Sequence, residues 1–119
     1  MKQNELTQRL FKFSVSTIKI LKTLPDVPEI RVIRYQLIKS STSSGANYEE
    51  SQAGSSKADF INKVRISLKE MRESNYWLRI IKEIVDINYD VNELEWLINE
   101  SIELKNILGA IVQKSRLKK

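Results

Sequence analysis

The sequence contains no cysteine and no histidine, and it has little glycine and proline. Its 119 residues include 3 Gly and 2 Pro. Without cysteine, the chain cannot form a disulfide, a thiolate metal site or a thiol-based redox site. Without histidine, the most common general base and the most common metal ligand are both missing, which excludes most hydrolase and metalloenzyme mechanisms. The shortage of glycine and proline leaves few positions for tight turns, so a fold rich in sheets is not expected.

Long hydrophobic runs are also missing. No segment approaches the roughly 18–20 apolar residues that a membrane-spanning helix needs. Near the N-terminus, Arg9, Lys12 and Lys19 interrupt any apolar core of a signal peptide. Hydrophobic residues make up 41% of the chain and charged residues 29%, which is typical of a globular domain. We therefore predict one cytoplasmic domain over residues 1–119, with no membrane partner.

Apolar residues recur every three or four positions through most of the chain, which indicates amphipathic helices. Four helices are predicted, at about 4–24, 29–51, 57–87 and 92–116. Asn4 is the predicted N-cap of the first helix, and Ser55 or Ser56 that of the third. Pro25 and Pro28 end the first helix. Four long helices with short connections predict an all-α fold, an antiparallel up-down-up-down four-helix bundle.

The second helix contains a run of small residues, from Ser40 to Ala46. Small side chains let a neighbouring helix approach closely, so we predict the tightest packing of the fold here. Gly45 lies within this run, and glycine costs about 1 kcal/mol relative to alanine inside a helix. We therefore attribute Gly45 to close packing.

Positive charge is concentrated in the first third of the chain. The net charge is +5, and residues 1–40 contain eight Lys or Arg and three acids, a difference that equals the whole excess. Spacings of seven, three, seven and three place five of these cations on one face of the first helix, with two more flanking it. The predicted phosphate contacts are Lys2, Arg9, Lys12, Lys19, Lys22, Arg31 and Arg34. The alternative is an exposed helix face that is only solvated.

The chain also has more apolar surface than a single bundle seam requires. A second apolar row on the third helix consists of Ile66, Tyr76, Trp77, Ile80 and Ile84. Three further apolar residues of the first helix lie off its main apolar face: Phe11, Val15 and Ile18. Self-association would bury such surface, as would a protein partner at a surface around Trp77. A wide core within one chain is the alternative. Stacking of aromatic residues on unpaired bases is a further one.

Two carboxylate sets on helix faces are candidate chemical sites. Glu50 lies three residues after Asn47, and Glu73 lies three residues after Glu70, so each set shares a helix face. Such groups can act in acid–base chemistry or bind a divalent cation. Ion pairs on the helix surface are the simpler interpretation, and the candidate pairs are Asp59–Lys63, Lys69–Glu73 and Arg79–Glu83. We predict no enzyme activity, no metal and no cofactor.

Three segments resemble one known family. They are Ser44–Ser51, Ser56–Lys63 and Leu68–Leu78, and they are similar to the bacterial four-helix-bundle proteins of the 23S rRNA intervening-sequence family. Asn47 and Glu50 match the family's Asn-x-x-Glu, and Glu70 matches the acid of its third helix. Many members have glycine where this chain has Ser51, so we expect the turn to come later, near Gly54.

The resemblance implies an up-down-up-down bundle that assembles as a homopentamer. A related bundle, the accessory protein of diversity-generating retroelements, is a basic pentameric barrel that binds nucleic acid and a reverse transcriptase. The expected function is therefore that of a non-enzymatic homo-oligomer that binds RNA or other structured nucleic acid through the basic face of its first helix.

Overall fold

The computed structural model describes residues 3–54, 56–86 and 89–117. These residues form four helices and no strand: α1 (Gln3–Leu21), α2 (Pro28–Ser51), α3 (Lys57–Ile84) and α4 (Val91–Leu117). Each helix packs against the next, and α4 packs back on α1. The predicted all-α bundle is therefore confirmed, and every predicted helix end lies within three residues of the observed one.

Capping residues predicted some of the helix ends correctly and others wrongly. Ser56 caps α3 as predicted, because its hydroxyl accepts a hydrogen bond from the Asp59 backbone N–H at 3.1 Å. Asn4 lies inside α1, so its predicted capping role was wrong. Asp90 caps α4 by accepting from the Glu93 N–H at 3.0 Å. Gly54 has a φ of +83° and closes the turn after α2. The turn was expected near this residue because Ser51 stands where many family members have glycine.

The core follows the apolar periodicity that predicted the four helices. Its largest fully buried side chains include Phe13 of α1, Leu37 of α2, Met71 of α3 and Leu104 of α4. Each comes from the three- and four-residue repeat that predicted its helix, which is why the periodicity located the interior correctly.

Serine side chains join α2 to α3. The Ser67 hydroxyl donates to the Ser44 carbonyl oxygen at 2.7 Å, and the Ser44 hydroxyl donates to the Ser67 carbonyl oxygen at 2.8 Å. One turn earlier in α2 and two turns later in α3, the Ser40 and Ser74 hydroxyls lie 2.8 Å apart. Because a serine side chain is short, these bonds require the two backbones to lie close together. The small-residue run thus forms a serine seam between α2 and α3.

Gly45 faces α1 and not the serine seam. A Cβ placed on Gly45 would lie 3.6 Å from the Cβ of Leu10 and 3.7 Å from its carbonyl group. These are ordinary van der Waals distances, so alanine would fit at this position. Close packing therefore explains the serines of this run better than it explains the glycine.

Candidate interaction surfaces

Arg9, one of the predicted phosphate contacts, is held between two carboxylates of α4. Its Nε donates to Glu100 Oε2 at 3.0 Å and its Nη2 to Glu100 Oε1 at 2.6 Å, while Nη2 also reaches Glu103 at 3.1 Å. Glu100 is only 8% exposed. The hydrogen bonds that Arg9 donates to Glu100 raise the pKa of Arg9 above its ordinary value. Arg9 thus ties α1 to α4, and its charge is neutralised within the chain.

Lys12 and Lys19 border a shallow groove between α1 and the start of α4. The groove has a volume of about 420 Å³, and Asp90 and Glu93 line its other side. The Lys12 ammonium also lies 5.1 Å from the ring centre of Trp96, which is a cation–π contact. The two predicted cations are therefore brought together, but acids of α4 lie beside them.

Arg31 and Arg34 stabilise the connection between α1 and α2. Arg31 donates to Asp26 at 2.7 Å, and this hydrogen bond lowers the pKa of the Asp26 carboxyl. Arg34 is partly buried and donates to the carbonyl oxygens of Leu21 and Leu24, each at 3.3 Å. The Leu21 oxygen also accepts from the Leu24 backbone N–H at 3.3 Å, in the turn that ends α1. Because the helix does not continue past this turn, Arg34 acts as a C-terminal cap.

The predicted basic stripe is therefore a surface of mixed charge. Of its seven residues, Lys12, Lys19 and Lys22 are exposed without an ion pair in the described part of the chain, and Lys2 lies outside that part. The acids beside its α1 residues are Glu93, Glu100 and Glu103 of α4 and Asp90, which caps that helix. The positions of these acids follow from the antiparallel contact of α1 with α4. The charge spacing of the first helix alone does not predict that contact.

Glu70 is a half-buried carboxylate on the side of α3 next to α2. Burial raises its pKa, and the neighbouring Glu73 raises it further. Its Oε2 atom is buried and has no hydrogen-bond partner among the described residues. Asn47 does not join this pair, because its amide donates to the backbone and side chain of Ser43.

The other predicted carboxylate contacts do not form. Across residues 3–54, 56–86 and 89–117, no three acidic side chains are arranged to hold a metal ion. The predicted pairs Asp59–Lys63, Lys69–Glu73 and Arg79–Glu83 are absent from the ion pairs of these ranges. Lys82 of α3 instead binds Glu95 of α4 at 2.6 Å, so charge joins two helices and not two turns of one helix.

Trp77 lies at the edge of the core beside an exposed tyrosine. The rings of Trp77 and Tyr76 meet edge to face, 5.3 Å apart and inclined at 73°. The indole Nε1 is buried and has no acceptor within the described ranges. Further along the same helix, the side chain of Ile84 is 45% exposed. This side of α3 therefore combines apolar surface with two unpaired buried polar atoms, on Trp77 and Glu70.

A second apolar surface lies on α1 and α2. Phe11 is 64% exposed and Tyr35 is 66% exposed, and half-buried Val15 and Ile18 lie near Phe11 on α1. Phe11 also borders a hollow of about 370 Å³ with Thr42 and other residues of α2. The bundle thus leaves large apolar side chains open on two different sides.

The sequence matches that of the 23S rRNA-intervening sequence proteins over residues 2–110. The chain belongs to this family. A solved structure from Bacteroides thetaiotaomicron, described as a protein of unknown function from the S23 ribosomal protein family, has 33% sequence identity and a TM-score of 0.78. The similarity covers 90% of this chain and 97% of that one. No curated protein matches the chain. Within the described ranges, none of the helices has the length and apolar character needed to span a bilayer.

Proposed function

We propose that this member of the family is a non-enzymatic, homo-oligomeric scaffold whose subunits contact one another through the apolar surfaces that the single bundle leaves open. The observation that carries the proposal is the exposure of Phe11 and Tyr35, at 64% and 66%, on two adjacent helices. Large apolar side chains that remain open on a small bundle favour association, because contact removes them from water.

The family resemblance supports the same proposal and favours a pentamer. A protein partner is the alternative use of the apolar surface around Trp77 on α3. The two uses differ in what they require, since self-association needs only the purified chain and a protein partner needs a second protein.

Sedimentation velocity of the purified protein over a wide concentration range tests self-association. We expect a species several times heavier than the 13.9 kDa chain. Phe11→Lys should shift it towards the monomer, because a charge replaces apolar contact area. Ile102→Lys is the matched control, since Ile102 is also exposed, at 40%, but lies on α4. A wild-type monomer at every concentration would refute the proposal.

Nucleic-acid binding is the second candidate function, and one observation favours it. Lys12 and Lys19 of α1 and Lys22 in the turn after it have exposed side chains, and none of them is in an ion pair with a described residue. Arg9, Arg31 and Arg34 are engaged within the chain, so phosphate contacts would depend on the lysines. RNA or another structured nucleic acid would be bound through its backbone, with shape more important than sequence.

Replacement of Lys12 and Lys19 by glutamine tests this second candidate. If both contact phosphates, the slope of log affinity for a structured RNA against log salt concentration should fall by about two. Arg65→Gln with Arg72→Gln provides the control, because these exposed cations of α3 lie on another side of the bundle. An unchanged slope, or no binding by the wild type at low salt, would eliminate the candidate.

A further inference from the structure

Two partly exposed stripes of the bundle have the same spacing and complementary chemistry. One stripe runs along α1 and into the turn that follows it, and the other runs along α3 in the opposite sense. Both use spacings of four, three and four residues. The α1 stripe consists of Phe11, Val15, Ile18 and Lys22, and the α3 stripe consists of Ile84, Ile80, Trp77 and Glu73.

We propose that the α1 stripe of one copy binds the α3 stripe of the next copy with the two helices antiparallel. The inference rests on the proposed self-association and identifies the surfaces that carry it. The paired positions are Phe11 with Ile84, Val15 with Ile80, Ile18 with Trp77, and Lys22 with Glu73.

The geometry of the stripes supports this register. Each stripe extends over 11 residues, which corresponds to about 16.5 Å along a helix. In the antiparallel register, three apolar pairs are followed by one pair of opposite charges. A parallel register would place the exposed ring of Phe11 against the Glu73 carboxylate and Lys22 against Ile84, and both contacts are unfavourable.

Charge at one end of the α3 stripe provides the second line of support. Glu73 lies one turn from Glu70, and the two carboxylates interact unfavourably, because burial and Glu73 both raise the pKa of Glu70. Lys22 is exposed and has no ion pair with a described residue. A neighbouring subunit would place the Lys22 ammonium beside Glu73, where it offsets the negative charge of this pair.

The two stripes require a head-to-tail assembly. Because α1 and α3 occupy diagonal corners of the bundle, their outward faces point in different directions, and one neighbour cannot cover both. Each copy therefore uses its α1 stripe towards one neighbour and its α3 stripe towards another. Contacts of this kind close into rings when the rotation between subunits permits it.

Mixing two assembly-defective variants tests the pairing directly. Phe11→Lys disables the α1 stripe, and Glu73→Lys with Ile84→Lys disables the α3 stripe. We expect each variant alone to sediment as a folded monomer, with the helical circular dichroism of the wild type. An equimolar mixture should form a 1:1 heterodimer, because the intact α3 stripe of the first variant can bind the intact α1 stripe of the second. Nothing larger should form, because the two remaining stripes both carry introduced lysines and repel each other.

The outcomes separate this inference from the proposed function. If the wild type is oligomeric but the mixture stays monomeric, or if either variant dimerises alone, the pairing of these stripes is wrong while self-association stands. If the wild type is monomeric, the proposed function itself fails. Ile102→Lys should leave the oligomer intact. If this variant were monomeric, the contact between subunits would involve α4, and the proposed pairing would be wrong.

Discussion

Individual charged residues in this bundle differ mainly in how well they are paired. Arg9 has three hydrogen bonds to two carboxylates, whereas the buried Oε2 of Glu70 has no partner in the described chain. Both residues lie on helix surfaces that look equally polar in the sequence. The difference arises from neighbours on other helices, so the cost of ionising each group is a property of the folded chain.

The pKa of Glu70 leads to a stability prediction. Because burial and Glu73 raise this pKa in the folded state, the stability that a neutral Glu70 provides is present at low pH and is lost as the pH rises through the folded pKa. Glutamine resembles the neutral acid at every pH. Glu70→Gln should therefore raise the free energy of unfolding at neutral pH, and the gain should disappear near pH 4.

Urea denaturation at the two pH values, at a protein concentration below that of assembly, measures this effect. Glu83→Gln is the control, because it removes the same charge from an exposed position of α3. A Glu70→Gln variant that is less stable than the wild type at neutral pH would show that the carboxylate has a favourable partner.

At the scale of whole elements, the α2–α3 contact is the most specific feature of the fold. The small-residue run predicted close packing, and the serine seam confirms it. The partner helix could not be predicted from the run alone, because small residues permit an approach by any neighbour. The reciprocal hydrogen bonds between Ser44 and Ser67 identify α3 as the partner helix. These bonds form only when both helices are rotated about their axes so that the two serines face each other.

Ser44→Val should destabilise the bundle by about 1–3 kcal/mol. Valine adds a methyl group to a closely packed seam and removes the hydroxyl that binds the Ser67 carbonyl oxygen. Urea denaturation would measure the loss. Ala110→Val supplies the comparison, because it introduces the same β-branched side chain at an exposed position of a helix. Equal losses in the two variants would mean that the seam tolerates the larger side chain.

At the scale of the whole molecule, the structure changes which of the two predicted surfaces leads. The basic stripe is interrupted by acids, and four of its arginines and lysines have contacts within the chain: Arg9, Lys12, Arg31 and Arg34. Phe11 and Ile84, by contrast, remain exposed on different sides of the bundle, while Ile18, Trp77 and Ile80 are half-buried. This is why self-association becomes the leading proposal and nucleic-acid binding the second.

The sequence by itself determined the four helices, their order, most of their ends and the residues of the core. These follow from periodicity, proline and capping side chains, which act over a few residues. Only the tertiary structure decided which charges meet, as in the pairing of Arg9 with Glu100 across 91 positions, and which apolar side chains stay open. Such contacts depend on which helices are neighbours and on how each helix is rotated about its axis. Two side chains meet only when both rotations point them towards each other.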